Sequence, residues 1–81
     1  MFRGIKISIN YNDHNPPHIH VEYGDTKALI DIINIELLNG NIPNKQLKMV
    51  FGWVALHQEE LLENWELASK QLKLFNIDPL K

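Results

Sequence analysis

"HIHVEYGDTKALID", residues 18–31, decides the fold. Side chains alternate across a strand, so Ile19, Val21 and Tyr23 point one way while His18, His20 and Glu22 point the other. Gly24-Asp25 follows, and glycine at the first central position suits a two-residue type II′ hairpin. That turn sets a register in which Tyr23 faces Thr26, Glu22 faces Lys27, Val21 faces Ala28, His20 faces Leu29, Ile19 faces Ile30 and His18 faces Asp31. The apolar pairs then share one face. Glu22–Lys27 and His18–Asp31 meet on the other. A slip of one residue would destroy that separation.

The flanks extend the pattern. Ile5, Ile7, Ile9 and Tyr11 alternate with Lys6, Ser8 and Asn10, as in a half-buried strand. Asn12 to Pro17 interrupts it with loop chemistry, since each proline biases the residue before it toward extended geometry. Ile35 to Leu38 adds a short strand, ended by Asn39-Gly40-Asn41. From about Lys45 to Lys73, Leu47, Val50, Val54, Leu61, Trp65, Ala68 and Leu72 recur at three- and four-residue steps or their multiples, an apolar helical stripe suited to cover the sheet.

A second stripe, Met49, Trp53, Leu56, Leu67 and Leu74, runs nearly opposite. The C-terminal segment or the first loop would cover it; the sharper alternative is a partner or homodimer surface. A 28-residue helix spans roughly 42 Å, against about 26 Å for an eight-residue strand. The helix must therefore overhang, kink or divide, with Gly52 and Glu63-Asn64 as weak points. His57 sits at the edge of the main stripe. Glu59, Glu60, Glu63 and Glu66 form a solvated acidic face.

The chain has 81 residues, 44% of them apolar and 22% charged, and no cysteine. One domain over residues 1–81 fits that length, and disulfides, thiolate nucleophiles and Cys-based zinc sites are excluded. The chain carries neither a secretory hydrophobic region near Met1 nor an apolar run of membrane-spanning length, so a cytoplasmic protein without membrane association is expected. Eight basic against ten acidic residues give a net charge of −2. The bases are scattered, which does not support an RNA partner.

His18, His20 and Glu22 form an H-x-H-x-E row on one strand face. Two imidazoles and a carboxylate suit Zn²⁺, Mn²⁺, Ni²⁺ or Fe²⁺, with His14 able to fold over as a further ligand. A divalent metal is the cofactor such a set would take, although three residues spaced by two spread over about 13 Å. The plainer reading is a solvated polar face. A metal-free catalytic reading also exists: Asp31, opposite His18, would orient the imidazole as carboxylates orient catalytic histidines, giving His18, His20 and Asp31 acid–base roles. Its plain counterpart is a cross-strand pair of less than about 1 kcal/mol. Ser8 is the single hydroxyl on that face.

"YNDHNPPHIHVEYGDTKALIDI", "LLNGNIPNKQLKMV", "WVALHQEELLENWELA" and "IDPL" occur in that order and span nearly the whole chain. In these segments it resembles the bacterial family known as domain of unknown function 4160. PPHIHVEYG and EELLENW are the most specific parts, and the motif includes His18 and His20. The resemblance implies a small bacterial protein often encoded beside a member of domain of unknown function 2442. Such pairs look like toxin–antitoxin modules, with this type in the toxin role.

The expected fold is α+β: an antiparallel sheet of three or four strands with one long C-terminal helix, straight or kinked, on one face. The expected function is a toxin component acting with a cognate antitoxin partner through the His18/His20 strand face. A metal-dependent or histidine-based hydrolase and a non-catalytic protein-interaction module are the alternatives.

Overall fold

The computed structural model describes residues 4–11 and 14–78. The expectations for Asn12 and Asp13 of the first loop, and for Pro79 and Leu80 of the tail, lie outside those residues. Strands β1 (Ile5–Ser8), β2 (His18–Tyr23), β3 (Thr26–Asp31) and β4 (Glu36–Asn41) precede helices α1 (Asn44–Leu56) and α2 (Gln58–Ser69). The strands form one antiparallel sheet in sequence order. The class is α+β, as expected.

The hairpin register is the expected one at all six pairs, from Tyr23↔Thr26 to His18↔Asp31. Gly24 has φ +59° and Asp25 is not left-handed, the pattern of a type II′ turn. Ile32 N–H donates to the Pro17 carbonyl at 3.0 Å, carrying the contact one step beyond the last pair. Strand β1 places Ile5 opposite Tyr23 and Ile7 opposite Val21, so its isoleucines join the apolar face.

That face is the core. Ile5, Ile19, Val21, Ala28, Ile30 and Ile32 are buried with Val50, Trp53, Val54, Leu61 and Trp65 of the helices. The main helical stripe behaves as its spacing requires, except that Leu72 lies beyond α2 and is 51% exposed.

The single long helix is not observed. The chain makes two helices, and the break falls at His57 rather than at Gly52 or Glu63-Asn64. His57 has φ −112° and ψ 21°, outside helical values. Its Nδ1–H donates to Glu60 Oε1 at 2.7 Å. Gln58 Nε2 donates to the carbonyls of Ile32 and Ile33, at 2.8 and 2.9 Å, and ties the start of α2 to the β3–β4 turn. The Gln58 bonds are tertiary and the His57–Glu60 bond is local, and the break they accompany needs neither Gly nor Pro. Helix α2 ends at Ser69, short of Lys73, and Gln71 at φ +57° turns the chain back. There Leu72 N–H donates to the Leu67 carbonyl and Gln71 N–H to that of Ala68, a hydrogen-bonded helix end.

Two strand boundaries also differ from expectation. Strand β1 stops at Ser8, before Ile9 and Tyr11. The short strand expected over Ile35 to Leu38 is β4, which runs through Asn39-Gly40-Asn41 after a bulge opposite Leu29 and Ile30. Gly40 allows this: it adopts φ +70°, and a Cβ there would collide with the Lys27 carbonyl oxygen. Ile35, at φ +54°, is a strained non-glycine position just before β4.

Of the second stripe, Trp53 is buried and its Nε1–H donates to the Asp78 carbonyl of the C-terminal segment at 2.9 Å, while Leu74 lies beyond α2 in that segment. Leu56, 78% exposed, is the member left open.

Gly40 and Gly52 separate opposite effects. Gly40→Ala is expected to lower stability by about 1–2 kcal/mol or more, the penalty for an L-residue in left-handed geometry plus the clash. Gly52 is exposed within α1 with nothing near its missing Cβ. Gly52→Ala is therefore expected to raise stability by about 0.5–1 kcal/mol. Urea denaturation midpoints of the two variants check both signs.

Candidate functional site

Three rows of cross-strand partners alternate with the apolar pairs, the first two on the face away from the helices. Lys6, Glu22, Lys27 and Asn41 form one row, and Ser8, His20, Leu29 and Asn39 the next. His18, Asp31 and Glu36 form the third, at the end of β2 that extends past β1. The first two rows border a shallow depression of about 250 Å³, lined by His20, Glu22, Lys27, Leu29, Asn39 and Gly40 among others. Cross-strand pairing brings opposite charges together along Lys6, Glu22 and Lys27.

His18 does not belong to an open surface. It is 9% exposed. Its ring centroid lies 5.2 Å from that of His20 and 5.1 Å from that of Trp65. Its Nδ1–H donates to the Pro16 carbonyl at 2.8 Å. A carbonyl can only accept, so this bond places a proton on Nδ1 and makes Nε2 the acceptor nitrogen of the neutral ring.

Asp31 lies opposite His18, as expected, and is 4% exposed. Its carboxylate organises the β3–β4 turn. Oδ1 accepts from Ile33 N–H at 2.8 Å and Asn34 N–H at 3.1 Å, and Oδ2 accepts from Asn34 Nδ2 at 3.1 Å. This is an Asx turn, in which a short carboxylate satisfies backbone donors a few residues on. The tautomer that Asp31 was expected to set is set by Pro16 instead, and the carboxylate has a structural task.

His20 and Glu22 are half-buried on the same face, and His14 is exposed in the preceding loop. Among the described residues, no group of three or more His, Cys, Asp or Glu is arranged to hold a metal ion. The H-x-H-x-E row thus supplies a ring pair and a carboxylate within a mixed surface. The fourth histidine, His57, stands where its stripe position put it: its side chain is 12% exposed, bonded to Glu60 and 5.1 Å from the Trp53 ring.

The sequence reading missed Lys6, Leu29 and Asn39 as parts of this face. The alternation of β1 and the hairpin register locate the first two, whereas Asn39 depends on the bulge. It also missed Asn64, which is 4% exposed. Asn64 lies three residues after Leu61 and four before Ala68, a polar residue inside an apolar stripe. That spacing is the signal that would have found it. Among the described residues no helix is long and apolar enough to cross a membrane.

Comparison with known families matches residues 4–66 to Domain of unknown function (DUF4160), well over half of the chain. The chain belongs to this family. No curated protein and no solved structure matches it.

Removing the Asp31 carboxylate leaves the Ile33 and Asn34 amides without their acceptor. Asp31→Ala is expected to cost about 1–3 kcal/mol, the range for stranding buried hydrogen-bond partners. Asp31→Asn, which keeps an oxygen for the backbone amides, is expected to lose less. Chemical denaturation of the two variants measures the difference, and equal losses would contradict the Asx-turn role.

Proposed function

We propose, with membership of that family as the premise, that this protein works by binding a cognate protein partner on its open sheet face, as the toxin-type component of a two-protein module. One observation carries the reading: the helices cover a single side of the sheet. The other side presents Lys6, Ser8, His20, Glu22, Lys27, Leu29 and Asn39 as a mixed polar and apolar surface around a shallow depression. Charged rows with a leucine among them are the composition of an interface that sets orientation and partner choice.

The resemblance described above supports the two-protein arrangement, since related proteins are often encoded beside a member of domain of unknown function 2442. Charge supports a protein over RNA, because the face carries two lysines and a glutamate in a chain of net charge −2. Histidine-based or metal-dependent hydrolysis has less behind it. His18 is buried against Trp65, Asp31 holds a turn, and no described residue set chelates a metal.

Induced expression, with and without the adjacent gene, tests the proposal. The protein alone is expected to arrest growth, and co-expression to restore it with a stable complex. Lys6→Glu with Lys27→Glu, both exposed in the free protein, is expected to weaken that complex at least tenfold, about 1.4 kcal/mol, while leaving the melting temperature nearly unchanged. Glu59→Lys with Glu63→Lys, on the acidic helix, is expected to leave it intact. Harmless expression together with no complex would overturn the proposal.

A further inference from the structure

Of the nine asparagines in the chain, Asn39 alone is followed by glycine. The pair lies on β4, an edge strand of the sheet, and both residues are exposed. Alternate amides of an edge strand point away from the sheet. Gly40 N–H donates to Asn39 Oδ1 at 2.7 Å. Two residues on, Ile42 N–H donates to Asn41 Oδ1 at 2.9 Å. Short polar side chains commonly bond neighbouring backbone amides in this way. Each of these oxygens is carried by the side-chain carbon Cγ, so each Cγ is held beside the nitrogen of the next residue.

That nitrogen can act as a nucleophile. Once it loses its proton it attacks Cγ, a five-membered succinimide ring closes, and the side-chain amide leaves as ammonia. Water then opens the ring at either carbonyl. One product is aspartate; the other is isoaspartate, in which the backbone runs through the former side chain. The reaction consumes only water and needs no oxidant or cofactor. Its chief obstacle is the side chain of the following residue, which crowds the nitrogen. The two neighbouring asparagines differ there. Ile42 is β-branched, 2% exposed and fixed in the core. Gly40 has no side chain and adopts φ +70°. Packing also forbids a shield at this position, because a Cβ on Gly40 would collide with the Lys27 carbonyl oxygen.

We propose that Asn39 is a self-modifying residue, converted in the folded chain to aspartate and isoaspartate through a succinimide formed with the Gly40 nitrogen. The close approach of β3 that demands glycine opposite Ala28 is what leaves this nitrogen open to react. The products change the open sheet face. Asn39 shares a row with Ser8, His20 and Leu29, so conversion adds a carboxylate there, and isoaspartate lengthens the β4 backbone by a methylene. The conversion stands whether or not that face binds a protein partner.

Peptide mapping by mass spectrometry tests the proposal on the full chain, incubated at neutral and mildly alkaline pH. Asn39 is expected to convert at least tenfold faster than Asn41, and faster as pH rises, because the attacking amide must lose its proton. Both products are expected, isoaspartate being identified by its backbone fragments and by enzymatic methylation. Asn39→Gln, which would have to close a larger ring, is expected to lower conversion at that position at least tenfold. Gly52→Ala shows whether the folded chain reacts. A reaction confined to the unfolded chain would slow in proportion to the stability that variant gains, whereas the expected rate is unchanged. Urea below the unfolding transition gives the same reading without a variant, since it raises the unfolded fraction while the Asn39 rate is expected to stay level. Equal rates at Asn39 and Asn41, aspartate without isoaspartate, or a rate that follows the unfolded fraction would overturn the proposal.

Discussion

The pairing of β2 with β3 is the constraint on which the rest of the molecule depends. A two-residue turn at Gly24-Asp25 leaves one register open, and that register sorts every side chain of both strands between two sides. Ile19, Val21, Ala28 and Ile30 go to the helices and become fully or almost fully buried. His20, Glu22, Lys27 and Leu29 go to the other side. The same register brings Asp31 beside His18 at the sheet end, where the carboxylate caps the next turn and the imidazole closes against Trp65. Apolar burial at about 25 cal/mol per Å² is the main driving force, and the register decides which atoms contribute to it.

Much of this was legible from residues alone, because period-two alternation and a glycine-led turn are local signals. What remained hidden depended on contacts distant in sequence. Asn39-Gly40-Asn41 reads as a turn, yet it continues a strand because β3 lies close enough that only glycine fits opposite Ala28, where a Cβ would meet the Lys27 carbonyl oxygen. The helix break at His57 has no proline or glycine to mark it. It comes from Gln58 reaching back to Ile32 and Ile33 and from the His57–Glu60 pair.

The histidine cluster shows the same division. That His18 and His20 share a strand face follows from their spacing, and their ring centroids do lie 5.2 Å apart. That His18 is buried does not follow, because its cover comes from Trp65, 47 positions away in the numbering. Asp31 was placed correctly in register, but its carboxylate is engaged by amides two and three residues on. Short-range competition of this kind is typical of Asp and hard to weigh against a cross-strand partner without coordinates.

The fold thus leaves one face of the sheet open and packs its C-terminal segment against α1 and α2. The open face is a consequence of helices packing on one side only. The C-terminal segment Leu72–Asp78 is attached through Asn64 and Trp53, separate from the register that holds the core. Amide hydrogen exchange of the intact chain tests that separation most directly. Val21 and Ile30 are expected to exchange only through global unfolding, and Phe75 N–H, bonded to Asn64, on the order of a hundredfold faster through local opening. Phe75 exchanging as slowly as Val21 would mean that the C-terminal segment and the core open as one unit, and would contradict the account.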